Sequence, residues 1–188
     1  MPVTGPMLQF RQSQVRVVHA MAIAPDPLID DIQAAFLQGG VSISAASSGT
    51  RPPPTFPSLC RVLACEVAPD RRRLTVLVSR AQAAQLLQDV GESGRLAVVF
   101  SQPSTHRTLQ IKGEGARIGP ASDRQLAAVR RHRDAFVSEV VPLGFPDSLV
   151  RLLLTCDDDD ILAISTIPVA VFDQSPGPRA GRKLQVAP

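Results

Sequence analysis

The sequence predicts an α+β domain, mainly β: a small barrel of about six antiparallel strands with helices packed at its ends. Three observations lead there. At residues 105–118, Leu109, Ile111, Gly113 and Gly115 fall on one parity and Thr108, Gln110, Lys112 and Glu114 on the other, the period of a strand with one dry and one polar face. Leucine-rich and β-branched runs recur at 58–67, 74–78 and 96–100, each bounded by turn residues. Capping-box spacings at Ser79/Gln82 and Ser122/Gln125 start helices between these runs.

Composition narrows the class. A chain of 188 residues with 44% hydrophobic content can bury a sizeable core within one domain. No apolar run approaches the roughly 18 residues of a membrane helix, and the first 25 residues lack a basic start followed by an apolar segment, so the chain reads as cytoplasmic with no membrane partner. Net charge is +3, but there is no Tyr or Trp to stack on bases, which argues against nucleic acid. Three cysteines at irregular spacings, with Cys60 and Cys65 expected on opposite faces of a strand, read as reduced core thiols and not as a metal site.

Residues 1–25 carry no firm pattern; 26–175 form the predicted domain and 176–188 an extended tail rich in Pro, Gly and basic residues. Asp26-Pro27 offers a helix cap before Leu28, Ile32, Ala35 and Phe36, and Gly39-Gly40 ends that helix. Residues 41–47 alternate as a strand and enter a stiff surface loop containing Pro52-Pro53-Pro54. The runs 58–67 and 74–78 form a hairpin, and Ser79 leads from the second of them into a helix with Ala83, Leu86, Leu87 and Val90, closed by Gly91. A helix start beside Arg80 offers N-H donors to an anion.

Residues 96–100 pair with the long strand, in which Gly113 and Gly115 mark a bend or bulge. Leu126, Val129, Phe136, Val137 and Val140 line the buried side of the next helix, and Arg130, Arg131, His132 and Arg133 its solvated side. Asp147 caps a short helix through Leu149, Leu152 and Leu153, 157–160 form a solvated acidic turn, and 161–172 are a last strand carrying Pro168.

The order Cys60-Arg61-Val62-Leu63, hairpin, Ser79-Arg80, 96–100, then Arg107-Thr108-Leu109-Gln110-Ile111-Lys112-Gly113-Glu114-Gly115 resembles the pyridoxamine 5'-phosphate oxidase-like family of FMN-binding split barrels, over about residues 28–175. The resemblance implies a homodimer with FMN between the subunits and an oxidoreductase acting on a small molecule. It implies cofactor contacts from Arg61 and Val62, from Ser79 and Arg80, and from Arg107, Thr108, Gln110 and Lys112. No catalytic residue is assigned.

Three departures from the family pattern put the vitamin B6 substrate in doubt. Glu66 stands where a lysine is expected, Ala81 follows Ser79-Arg80 in place of lysine, and Val76-Leu77 replace an aromatic and threonine pair. Efficient oxidation of pyridoxamine 5'-phosphate is therefore not expected. A non-catalytic flavin or haem carrier and a reductase using the deazaflavin F420 are the alternatives.

Overall fold

The computed structural model describes residues 27–50 and 56–184. The N-terminal segment, Asp26 and Pro52-Pro53-Pro54 lie outside them. The described strands are β1 (Ser42–Ser47), β2 (Ser58–Arg61), β3 (Ala64–Val67), β4 (Leu74–Ser79), β5 (Leu96–Ser101), β6 (Thr108–Pro120), β7 (Ile161–Asp173) and β8 (Arg182–Leu184). The α-helices are α1 (Asp31–Leu37), α2 (Ala84–Ser93), α3 (Asp123–Val140) and α4 (Asp147–Leu153).

Hydrogen bonding orders the strands β2-β1-β5-β6-β7-β4-β3, every pair antiparallel, with β8 added to β7. The two ends of that order are neighbours in sequence. Val62 N donates to Ile43 O at 3.0 Å beside β1, and Leu63 N donates to Leu77 O at 2.7 Å beside β4. A single extended segment thus pairs with β1 through its first half and with β4 through its second, which closes the sheet into a six-stranded barrel split at Val62-Leu63. The split leaves β2 paired with β1 alone and β3 with β4 alone among the described strands.

The barrel interior holds Ile43, Val62, Val76, Val78, Val98, Phe100, Leu109, Ile111 and Ile164, all buried, as the period of two requires. α3 covers the outside of β3, β4 and the start of β7, packing Val129 and Leu126 on Leu63, Ala64, Leu77, Ile161 and Ala163. Among the described residues, the outside of β1, β5 and the first half of β6 receives no helix of this kind. That division positions the site.

The expected bulge is present. The β6–β7 register shifts between Lys112 and Gly113 and again between Glu114 and Arg117, and Gly115 has φ +61°. Pro168 fits within β7 because it pairs with Gly113, at the irregularity where the ladder can lose a donor.

Several boundaries differ from expectation. The first helix is capped by Asp30, not Asp26, through a reciprocal box in which Gln33 N donates to Asp30 Oδ1 at 2.7 Å and Asp30 N donates to Gln33 Oε1 at 3.1 Å. Gly91 lies inside α2, and the left-handed Gly94, φ +63°, ends it. Cys60 and Cys65 both reach the interior core, because Leu63 and Ala64 both face outward where the strand changes partner. In α4 the buried residue is Val150, while Leu149, Leu152 and Leu153 are exposed. The tail is not simply extended: Arg182–Leu184 folds back onto Val171–Asp173 as β8.

Candidate functional site

Strand register places the outward side chains in rows across the uncovered face. Arg61 pairs with Ser44, Ser44 with Val99, Val99 with Gln110, Gln110 with Phe172, and Phe172 with Lys183. The next row runs Leu59, Ala46, Ala97, Lys112, Ala170, and on the other side Ser42, Ser101 and Thr108 align. From Arg61 to Gln110 is three strand spacings, roughly 14 Å. Between them the row holds Ser44 and Val99, so among the described residues the face is a shallow floor of small side chains with a cation at one end and an amide at the other.

The polar side chains of β6 are held in place. Thr108 Oγ1 lies 2.9 Å from Ser101 Oγ, Gln110 Oε1 accepts from Gln174 Nε2 at 3.3 Å, and Lys112 Nζ sits 5.1 Å from the Phe172 ring centroid. Beside Lys112 a cleft of about 280 Å³ opens over Ala46, Ala97, Gly113 and Val169, with Arg95 on its rim. A mostly apolar concavity with a few convergent polar groups is the usual form of a small-molecule site. Sequence reasoning singled out Thr108, Gln110 and Lys112 here, but it missed Ser44, Val99 and Phe172, which no motif marks and only strand register brings together.

Not all of the expected residues join this face. Val62 is 1% exposed and its side chain belongs to the barrel core. The Arg107 guanidinium lies 4.3 Å from the ring centroid of Phe36 on α1 and is engaged there. Arg61 is exposed on the face and also lines a small crevice with His132, Phe136 and Leu154.

Ser79 and Arg80 were expected at the helix start, but α2 begins at Ala84 behind Ala83, which makes no side-chain cap, and Ser79 and Arg80 stand in the turn before it. That turn already holds an anion. Ser79 Oγ donates to Asp160 Oδ2 at 2.5 Å, Ala81 N donates to Asp160 Oδ1 at 3.2 Å, and Arg80 N donates to the Asp160 carbonyl at 2.7 Å. Ser79 also receives Gln82 N at 3.2 Å and is 3% exposed, so its hydroxyl is fully committed. The Ser79 hydroxyl is the main influence holding the Asp160 carboxyl below the usual carboxylate range. The acidic turn is therefore structural and not merely solvated: Asp160 caps the β4–α2 turn, and Asp158 pairs with Arg130 of α3. These donors do not fit a phosphate while Asp160 occupies them.

His132 departs furthest from its expected solvated position. It is 5% exposed, stacks on Phe136 and leaves Nδ1 without a hydrogen-bond partner, and burial pushes its pKa down to about 4 against weaker opposing hydrogen bonds to the Gly39 and Val41 backbone. Glu66 forms an ion pair with Arg124 at 3.0 Å, under the start of α3. Burial raises Cys60 to about 11, which keeps that thiol protonated and inert. Among the described residues no cluster of His, Cys, Asp or Glu could hold a metal ion, and no helix is long and apolar enough to cross a membrane.

No protein-family model matches the sequence, and no curated protein does. Solved structures similar to the chain include an F420 reductase, at 15% identity over 72% of this chain and 92% of that one, with a TM-score of 0.49. General stress protein 26 from Bacillus anthracis is 15% identical over 73% of this chain and 86% of that one, with a TM-score of 0.42. A pyridoxamine 5'-phosphate oxidase-related, FMN-binding protein from Nostoc punctiforme is 13% identical over 74% and 77%, with a TM-score of 0.42. The architecture rests on the chain's own pairing: a six-stranded antiparallel split barrel with one outer face covered by α3 and the other left open by the described residues.

Proposed function

We propose that the protein is a flavoprotein of the pyridoxamine 5'-phosphate oxidase-like family, an FMN-dependent oxidoreductase acting on a small molecule. The observation that carries this reading is the open face itself: Arg61 at one end, small side chains across the middle, and Gln110 and Lys112 at the other. Arg61 would hold the anionic tail, Ser44, Ala46, Ala97 and Val99 would support the flat ring, and Thr108, Gln110 and Lys112 would supply polar contacts to its edge. When bound, the flavin supplies hydride chemistry, and this chain supplies position and charge. Arg61→Ala should weaken FMN binding roughly ten- to a hundredfold, the loss expected of one charge-assisted contact. The anisotropy of flavin fluorescence, excited in the visible where the chain does not absorb, measures this. Unchanged affinity in a folded variant would remove Arg61 from the site.

The same face would be covered by a second copy of the chain. It is bordered by Leu59, 72% exposed, and Val169, 41% exposed, and a shallow floor needs a lid if it is to exclude water from a ring. Sedimentation of the FMN-loaded protein should give twice the 20.1 kDa chain mass. A flavin-loaded monomer contradicts this arrangement, and a deazaflavin absorption spectrum in the purified protein would transfer the reading to F420.

Turnover of pyridoxamine 5'-phosphate should be poor. Glu66, at the position where the family resemblance expects a lysine, is a carboxylate already paired with Arg124 and brings no cation to a substrate phosphate. Hydrogen peroxide release from FMN-loaded protein supplied with that amine checks this, and rapid release would show that Glu66 is misaligned.

A further inference from the structure

Anion-binding groups at the β4–α2 turn converge on one carboxylate, which comes from far along the same chain. Three donors reach the Asp160 carboxylate: the Ser79 hydroxyl, the Ala81 amide and, at 3.5 Å on the same oxygen that Ser79 holds, the Cys156 thiol. The carboxylate is kept there by its neighbours. The Arg80 amide binds the Asp160 carbonyl, Ile161 pairs with Ser79 at the start of β7, and Asp158 is tied to Arg130. Arg80 itself is exposed and lines an open basin at this turn together with Asp157, Asp158, Asp159 and Asp160, so its charge there faces carboxylates.

We infer that Asp160 is a built-in plug: its carboxylate occupies an oxyanion site made by the Ser79 hydroxyl and the Ala81 amide, and a phosphate group can bind at that turn only when the carboxylate is absent or displaced. A carboxylate and a phosphate oxygen use the same charge-assisted hydrogen bonds, so one excludes the other, and two anions in this space would also repel. Leu63 and Leu77 are joined where the strand crosses between β1 and β4, and following both strands from that bond leads to Arg61 and Ser79 at the same end of the barrel. For a flavin on the open face, the plug removes donors that would otherwise add to Arg61. This last consequence rests on the flavin reading; the plug itself does not.

The test has an arm for each. Melting of the full chain is followed by calorimetry in inorganic phosphate and in chloride of equal ionic strength. Phosphate should leave the parent unmoved, raise the Tm of Asp160→Ala, and leave the Ser79→Ala/Asp160→Ala double variant unmoved. In the second arm FMN and riboflavin are titrated by their fluorescence, and Asp160→Ala should bind FMN about tenfold tighter with riboflavin unchanged. Asp160→Ser serves if the alanine variant does not fold. A parent stabilised by phosphate through Ser79, or an Asp160 variant that does not respond to phosphate, overturns the plug. A phosphate response in Asp160→Ala with no flavin bound by any variant supports the plug and defeats the flavin reading instead.

Discussion

Gly113→Ala should lower stability by about 3 kcal/mol and Tm by roughly 6 to 12 °C, a large loss for the addition of one methyl group. A Cβ built on Gly113 would meet Thr166 Oγ1 at 2.3 Å, Cγ2 at 2.7 Å and Cβ at 3.0 Å. Thr166 is 0% exposed and cannot swing away, and its hydroxyl donates to Glu114 O at 3.0 Å, so moving it would also break that bond. Thr166→Ala alone should cost about 1 to 2 kcal/mol for that lost bond. The double variant should be more stable than the sum of the two losses, since alanine at 166 removes the atoms in the way. Thermal melts of the four proteins decide this, and strict additivity would mean that the contact at Gly113 is relieved elsewhere. Lys112, Gly113 and Glu114 form one wall of the cleft beside the open face, so the same substitution should disturb ligand binding.

Residues that obey a local period were legible in the sequence. The alternation of β6, the bulge at Gly113 and Gly115, the Ser122–Gln125 box of α3 and the β3–β4 hairpin all follow from patterns within a few residues of one another. The split of the barrel was not, because nothing in 58–67 announces that β1 is exchanged for β4 at Val62-Leu63. That change reverses the facing of Cys65 relative to a regular strand, which is why the two cysteines share the core. Gly40 shows the same limit from another side. Its place after a helix reads as a stop signal, yet a Cβ there would also meet the Ala135 carbonyl oxygen at 2.4 Å, so α3 depends on that glycine for its approach.

Legibility at the site divides along similar lines. Arg61, Thr108, Gln110 and Lys112 were singled out because strand parity and motif order agree on them, and the structure sets all four outward, Arg61 on β2 and the others on β6, three strand spacings away. Ser79 and Arg80 precede the helix by a full turn instead of starting it, and the occupant of that turn lies 81 residues from Ser79 and was invisible to local reasoning. An acidic run is usually solvated because adjacent carboxylates repel. Here the chain separates their tasks, directing Asp158 to Arg130 and Asp160 to the turn. His132 was misassigned because its neighbours Arg130 and Arg131 are exposed, whereas its own ring turns toward the α1–β1 connection.

That burial gives His132 a measurable signature. Its pKa falls from 6.5 to about 4 in the folded chain, so between those values the unfolded chain binds a proton that the native protein refuses. Stability from this group is complete above pH 6.5, declines as pH falls toward 4, and is then exhausted; the full difference is about 3 kcal/mol. Carboxylates act in a lower window. Glu139, held down chiefly by the Ser104 hydroxyl, and Asp173, held down chiefly by Ser175, retain their contribution above their unfolded values and lose it only as pH drops below them. Denaturant unfolding at several values between pH 7 and pH 4.5 therefore isolates the histidine. The parent should lose stability across that interval, and His132→Gln, whatever its absolute stability, should lose about 3 kcal/mol less over the whole window down to pH 4. Equal slopes for the two proteins would mean that His132 takes up its proton in the folded state, and that the crevice it shares with Arg61 admits water.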